Sequence, residues 1–149
     1  MKEKEALYKH CLDYVHQRIA RMREEIERAQ YSANEETKSS AGDKYETSRA
    51  MAQLEVERNM TQLKEAEKLQ SIMQSLTSFN TTDVIMPGSL VTTPKGIFYI
   101  AISLGLITQG QKQYFIISAD SPIGKLLMGK RNGDSITWNS FLYEIQNVE

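Results

Sequence analysis

Residues 8–33 read YKHCLDYVHQRIARMREEIERAQYSA, and their spacing decides the first half of the fold. Tyr8, Val15, Met22 and Ala29 fall seven apart, and Leu12, Ile19, Ile26 and Ala33 follow them by four. An unbroken alternation of four and three puts a single narrow apolar seam on a helix, as in a coiled coil. The other faces are Arg, Glu, Lys and Gln. A looser stripe follows through Ala52, Val56, Met60, Leu63, Ala66, Leu69, Met73 and Leu76, interrupted by Asn59 or Gln70 as a register-setting polar residue. Between the stripes lies Ser39-Ser40-Ala41-Gly42-Asp43, short, small and polar, with Gly42 to supply a tight turn. Helices joined this closely run antiparallel. The pattern predicts helices over about 3–37 and about 44–78, each roughly 50 Å long. Tyr8, Leu12, Val15, Ile19, Met22 and Ile26 are expected to face the second helix. Small seam residues near the turn (Ala29, Ala33 and Ala52) make its tip slim. A dimerisation or spacer coiled coil satisfies the same pattern.

Outward from this stretch the composition changes. The chain has 149 residues, 18 basic and 19 acidic, for a net charge of −1. Residues 1–79 hold 27 of the charges and residues 80–149 only 10. Seven of eight glycines and all three prolines lie beyond residue 80. The boundary is placed near Phe79-Asn80-Thr81-Thr82-Asp83, giving a hairpin over 1–79, with its tip near 39–46, and a second domain over 80–149. Near-neutral charge argues against binding free DNA or RNA through bulk charge. No apolar run approaches the ~20 residues of a membrane span. The charged start Met1-Lys2-Glu3-Lys4-Glu5 is not followed by an apolar segment, so no secretory signal is expected. A single cysteine, Cys11, excludes an internal disulfide or a cysteine-based zinc site. The expected setting is cytoplasmic.

The second half reads as a small antiparallel sheet with one short helix, making the chain α+β. Strands are predicted over Ser89–Thr93, Gly96–Ser103 and Tyr114–Ser118, with Pro94-Lys95-Gly96 as a turn. Ser121-Pro122 opens a helix as N-cap and first helical residue, and Gly129 ends it in a left-handed conformation. Ser135–Trp138 and Phe141–Val148 form a hairpin around Asn139-Ser140. Residues 97–102 with Ile116, Ile123, Leu127, Trp138 and Ile145 are expected to form one core.

The candidate site is Gly42-Asp43-Lys44-Tyr45-Glu46. Asp43 and Glu46 are three apart and share a face of a helix that is just beginning. Two ionised carboxylates at a tip can ligate a hard cation such as Mg²⁺, though two alone cannot complete its shell. The same spacing is also a capping arrangement, with Asp43 as N-cap and Glu46 at N3. Other sets are weaker. His10, Cys11 and His16 do not share a helix face. Lys125, Lys130 and Arg131 read as a solvated helix C-terminus. Arg18, Arg21 and Arg28 share one face and could touch RNA, but pairing with nearby Glu24 and Glu25 is the favoured role. A proline-isomerase groove would have to come from Tyr99, Tyr114, Phe115 and Trp138.

These pieces, in this order, resemble the bacterial transcript-cleavage factors of the GreA/GreB family. Gly88-Ser89-Leu90-Val91 resembles the family's opening strand. Residues 121–130, Ser-Pro-Ile-Gly-Lys-Leu-Leu-Met-Gly-Lys, followed by Gly133-Asp134, resemble its Ser-Pro-Ile-Ala-x-x-Leu-Leu-Gly-Lys…Gly-Asp segment. Tyr143-Glu144-Ile145…Val148 resembles its ending. The resemblance implies an FKBP-like second domain that docks on RNA polymerase at the rim of the secondary channel, through Ser121, Pro122, Gly124 and Lys125. It implies a coiled coil that enters the channel and carries Asp43 and Glu46 to the polymerase active site. There they would share a Mg²⁺ with the polymerase and promote cleavage of backtracked nascent RNA. The chain would be no enzyme by itself and hold no cofactor of its own. At the tip Gly42, Asp43 and Glu46 match, and Thr47, Ser48, Arg49 and Ala50 stand where the family has Asn-Ala-Glu-Tyr. Related channel binders with altered tips inhibit instead, so an inhibitor or a non-catalytic scaffold is the alternative.

Overall fold

A computed structural model describes residues 2–36, 42–77, 79 and 81–149, with side chains at all of these except 36 and 42–45. Two helices come first, α1 (Lys2–Glu36) and α2 (Gly42–Ser75). Neither contains proline, and the only glycine opens α2, so nothing breaks either ladder. They form a helical hairpin, and the expected turn residues 39–41 lie outside the described residues. The second half holds β1 (Leu90–Thr93), β2 (Gly96–Ala101), β3 (Gly105–Gln109) and β4 (Lys112–Ser118). After these come α3 (Pro122–Leu127), β5 (Ser135–Trp138), β6 (Phe141–Glu144) and β7 (Asn147–Val148). The chain is thus α+β.

Two units divide it, one of residues 13–70 and one of residues 1–12 with 71–149. In the first unit Val15, Ile19, Met22, Ala29 and Ala33 are buried on α1, and Val56, Asn59 and Ala66 on α2. These are predicted seam positions of α1, and Ile26, also expected there, is only half-buried. On α2 the polar Asn59 takes the seam position, and Met60, expected there, is exposed. The Asn59 side-chain nitrogen is buried without a hydrogen-bond partner. In the second unit the buried positions of α1 are Lys4, Leu7 and Cys11, whereas Tyr8 and Leu12 of the predicted seam are only half-buried. The sheet belongs to this unit and turns the buried side of α1 by one residue. Tyr8 packs edge-on against Phe79, with centroids 5.3 Å apart.

The five-stranded sheet has the order β3-β4-β2-β1-β7. It is mixed, not antiparallel as expected, because β2 and β4 run parallel. The cause is β3, a strand the sequence reading lacked. The chain leaves β2, runs back along the sheet edge as β3, and returns as β4 between them. β5 and β6 pair as a separate hairpin across Asn139 and Ser140, both at positive φ as a type I′ turn demands. The predicted second strand of that hairpin breaks after Glu144, and Asn147–Val148 joins β1 instead.

Alternation on the strands makes two cores. Val91, Phe98, Ile100 and Val148 pack with Ile85, Leu127, Ile136 and Ile145, and Ile123 and Phe115 lie at the margin. Leu90, Tyr99, Tyr114 and Ile116 are buried on the opposite face. The single core expected from sequence is therefore split by the sheet. Trp138 belongs to neither core: it sits beside the β5–β6 turn and is half-buried.

Ile100 and Leu127 are fully buried. Alanine at either is expected to cost ~2–5 kcal/mol in denaturant unfolding. Asn59→Leu is expected to stabilise the chain by ~1–3 kcal/mol, since it removes an unpaired amide from an apolar seam. A lowered melting temperature for that variant would contradict the unpaired state of the amide.

Candidate functional site

α2 opens at Gly42, so Asp43 falls inside its first turn and is not the N-cap. That corrects the capping arrangement, which needed the helix to start one residue later. Backbone position still puts Asp43 and Glu46 three apart on the same helix. The side chain of Asp43 lies outside those described, and Glu46 is exposed. One turn on, Arg49 joins Glu46, Ala50 and Gln53 around a shallow depression. Arg49 has an interaction of its own and is not a free cation. Glu46 also borders a neighbouring hollow with Thr47, Ala50, Met51 and Leu54.

Among the described residues no group of three or more His, Cys, Asp or Glu could hold a metal. Cys11 is buried between exposed His10 and His16, and burial pushes its thiol up to about 12. A thiol held protonated in this way is inert as a nucleophile. The four aromatics considered for an isomerase groove do not converge. Tyr99 and Tyr114 are buried on one face of the sheet, Phe115 lies on the other, and Trp138 belongs to the β5–β6 hairpin.

Ser121, Pro122, Gly124 and Lys125 come together at the start of α3 but divide by role. The Ser121 hydroxyl accepts a hydrogen bond from the Gly124 N–H at 3.1 Å and donates to the Ser118 carbonyl at 2.7 Å. Pro122 takes the first helical position, where its missing N–H costs nothing. Gly129, at φ 80, follows the helix, and its N–H bonds the Ile85 carbonyl at 2.9 Å. Gly124 is buried. A Cβ built there would stand 2.1 Å from the Ser118 carbonyl oxygen. Gly124 was expected to offer an open surface to a partner, and it instead closes the helix onto β4. Pro122 and Lys125 are the exposed members.

The sequence reading missed Lys4. It is 4% exposed and lines a cavity of about 220 Å³ with Ser75, Leu76, Thr82, Met86, Pro87, Gly88 and Ser89. Burial pushes the Lys4 amine down, and Glu149 pushes it partly back up. The Thr82 hydroxyl donates to the Val84 carbonyl at 2.8 Å, and Ser75 donates to Ile72 at 2.6 Å. Those oxygens are left with lone pairs, which suit an ammonium group and not an anion. The only signal in the sequence was a lysine one turn before Leu7, and the heptad starting at Tyr8 hid it.

No family model matches the chain, and no curated protein matches it.

Gly124→Ala is expected to destabilise the chain by about 1–3 kcal/mol, because a carbonyl and two neighbours must move to admit the methyl. Lys125→Glu, on the exposed side of the same helix, is expected to change stability by less than ~0.5 kcal/mol. Thermal unfolding of the two variants side by side checks the division.

Proposed function

We propose that this chain is a regulator of bacterial RNA polymerase, of the GreA/GreB kind that its sequence resembles. In this reading the sheet unit is FKBP-like and docks at the rim of the secondary channel, and the hairpin carries its carboxylates inward. The observation that carries the reading is the position of Glu46: exposed, on the second turn of α2, one helical turn after Asp43. An exposed carboxylate at that place stays hydrated and available to a cation.

Asp43 and Glu46 present hard oxygen donors of the type Mg²⁺ prefers, and two of them fit a shared site better than a private one. They would hold the ion together with carboxylates of the polymerase, and the ion would supply charge stabilisation for cleavage of backtracked RNA. The chain's own part is to place negative charge and to exclude bulk from a narrow passage. It would contact nascent RNA only through the polymerase, act as no nuclease alone, and work in the cytoplasm.

Arg49 favours a second reading, a Gre-like inhibitor. It borders the same depression as Glu46, where a guanidinium offsets the carboxylate charge. Transcript cleavage by a stalled, backtracked polymerase separates the two. With a cleavage factor, Asp43→Asn and Glu46→Gln are each expected to cut stimulation about tenfold or more, with polymerase binding retained. With an inhibitor, the wild type slows the polymerase and Arg49→Glu gains cleavage stimulation. No response of polymerase to the wild type or to any of the three variants would sink both readings and leave a scaffold.

A further inference from the structure

We propose that β3 is a self-association edge, through which two copies of this chain pair antiparallel about a twofold axis at Ile107. β3 and β7 are the two edges of the five-stranded sheet. β7 has two residues and is followed by Glu149, so it is short and flanked by charge, as protected edges are. β3 has five residues, and from Ile102 to Gln111 the chain contains no charged residue and no proline. Leu106 on it is 51% exposed. A long, uncharged, apolar edge is the kind that accepts another strand.

The hydrogen-bond parity fixes which groups are on offer. The Ile116 carbonyl accepts from the Leu104 N–H at 3.1 Å, so Ile116 directs its backbone toward β3. By alternation Lys112 and Tyr114 do the same, and their register partners Gln109 and Ile107, with Gly105 opposite Ile116, direct theirs toward β4. Leu106 and Thr108 therefore point their N–H and C=O groups outward. Among the described residues no hydrogen bond reaches either of them from outside the sheet.

Antiparallel pairing with a second copy satisfies these groups. Centred on Ile107, antiparallel pairing sets Leu106 against Thr108 of the other copy, and both pairs exchange N–H···O bonds in each direction. Ile107 then meets its own equivalent as a closely spaced, non-hydrogen-bonded pair. Gly105 falls opposite Gln109, so a small residue faces a long one, and no charge faces another. A net charge of −1 adds little repulsion between copies. Four main-chain bonds with one apolar pair make a weak, concentration-dependent dimer rather than an obligate one.

Sedimentation equilibrium of the full chain from about 1 μM to about 1 mM tests the edge. The wild type is expected to pass reversibly from monomer to dimer. Thr108→Pro removes an outward donor and leaves the β4 ladder intact, so it should raise the dissociation constant about tenfold or more while circular dichroism stays unchanged. Thr108→Lys should do the same through charge alone, and it decides the matter if the proline variant does not fold. Oxidised Ile107→Cys should give a disulfide-linked dimer, because a Cα separation of ~4.5 Å across such a pair lies within disulfide range. Buried Cys11, its thiol pushed up to about 12, does not compete. A wild type that stays monomeric throughout overturns the proposal. So does a dimer that survives Thr108→Lys, or one that Ile107→Cys fails to cross-link.

Discussion

Phe98 and Tyr99 are neighbours on β2, point to opposite sides of the sheet, and are both buried. A sheet with two dry faces needs two covers. One is α3 with β5 and β6, packed on Phe98 and Ile100. The other comes from the helices, for Tyr99 lies close enough to Cys11 and Tyr8 to feel both electrostatically. Glu3 accepts a bond from Lys112 of β4 at 2.9 Å on the same side. The first turns of α1 and the last residues of α2 are thus structural parts of the sheet unit, and residues 80–149 alone would expose Leu90, Tyr99, Tyr114 and Ile116. The second cover is imperfect. The Tyr99 hydroxyl is buried without a partner, and burial pushes its ionisation up. Lys4 is buried nearby in the same unit. Each of these costs stability that the apolar contact must offset.

The hairpin segment of residues 13–70 is governed by a different constraint. With one seam per helix it has little interior, and most of its length is solvated. Asn59 occupies seam space that a leucine would use better, and such a residue selects register at the expense of stability. Towards the start of α2 the inward residues are small or polar, and larger apolar side chains point outward: Met51 and Leu54 are both exposed. That stretch of α2 therefore contributes little apolar burial.

Legibility in the sequence followed how local each determinant is. The α1 seam from Val15 to Ala33 was readable because a heptad is written in one segment. The Ser121 cap and the turn at Asn139-Ser140 were readable because each is settled within four residues. Strand β3 was not read, although Gly110-Gln111 between two short apolar runs was a hairpin signal. Missing β3 removed the reason for β4 to run parallel to β2, a relation no local pattern encodes. The shift from Tyr8 and Leu12 to Leu7 and Cys11 was also illegible, since the sheet that causes it lies about 90 residues away along the chain. Gly124 looked like an open helix start; its true constraint is a carbonyl contributed by β4. The candidate tip was legible as a pair of carboxylates three apart, and the helix start at Gly42 altered the capping part of it.

Stability and the candidate chemistry occupy separate parts of the molecule, and this follows from the physics of each. A carboxylate is tolerated where it stays hydrated, and Glu46 does. The apolar side chains that hold the sheet must be dry, and Ile100 and Leu127 are. A substitution at Glu46 therefore exchanges one solvated group for another and leaves folding nearly unchanged. The tip can be retuned between matching and opposing charge without disturbing the sheet. The start of α3 has the opposite character. There Ser121 is locked to the end of β4 by two hydrogen bonds to the Ser118 carbonyl, from its hydroxyl and its N–H, and Gly124 by a close approach to the same oxygen, so that only Pro122 and Lys125 of the four are exposed.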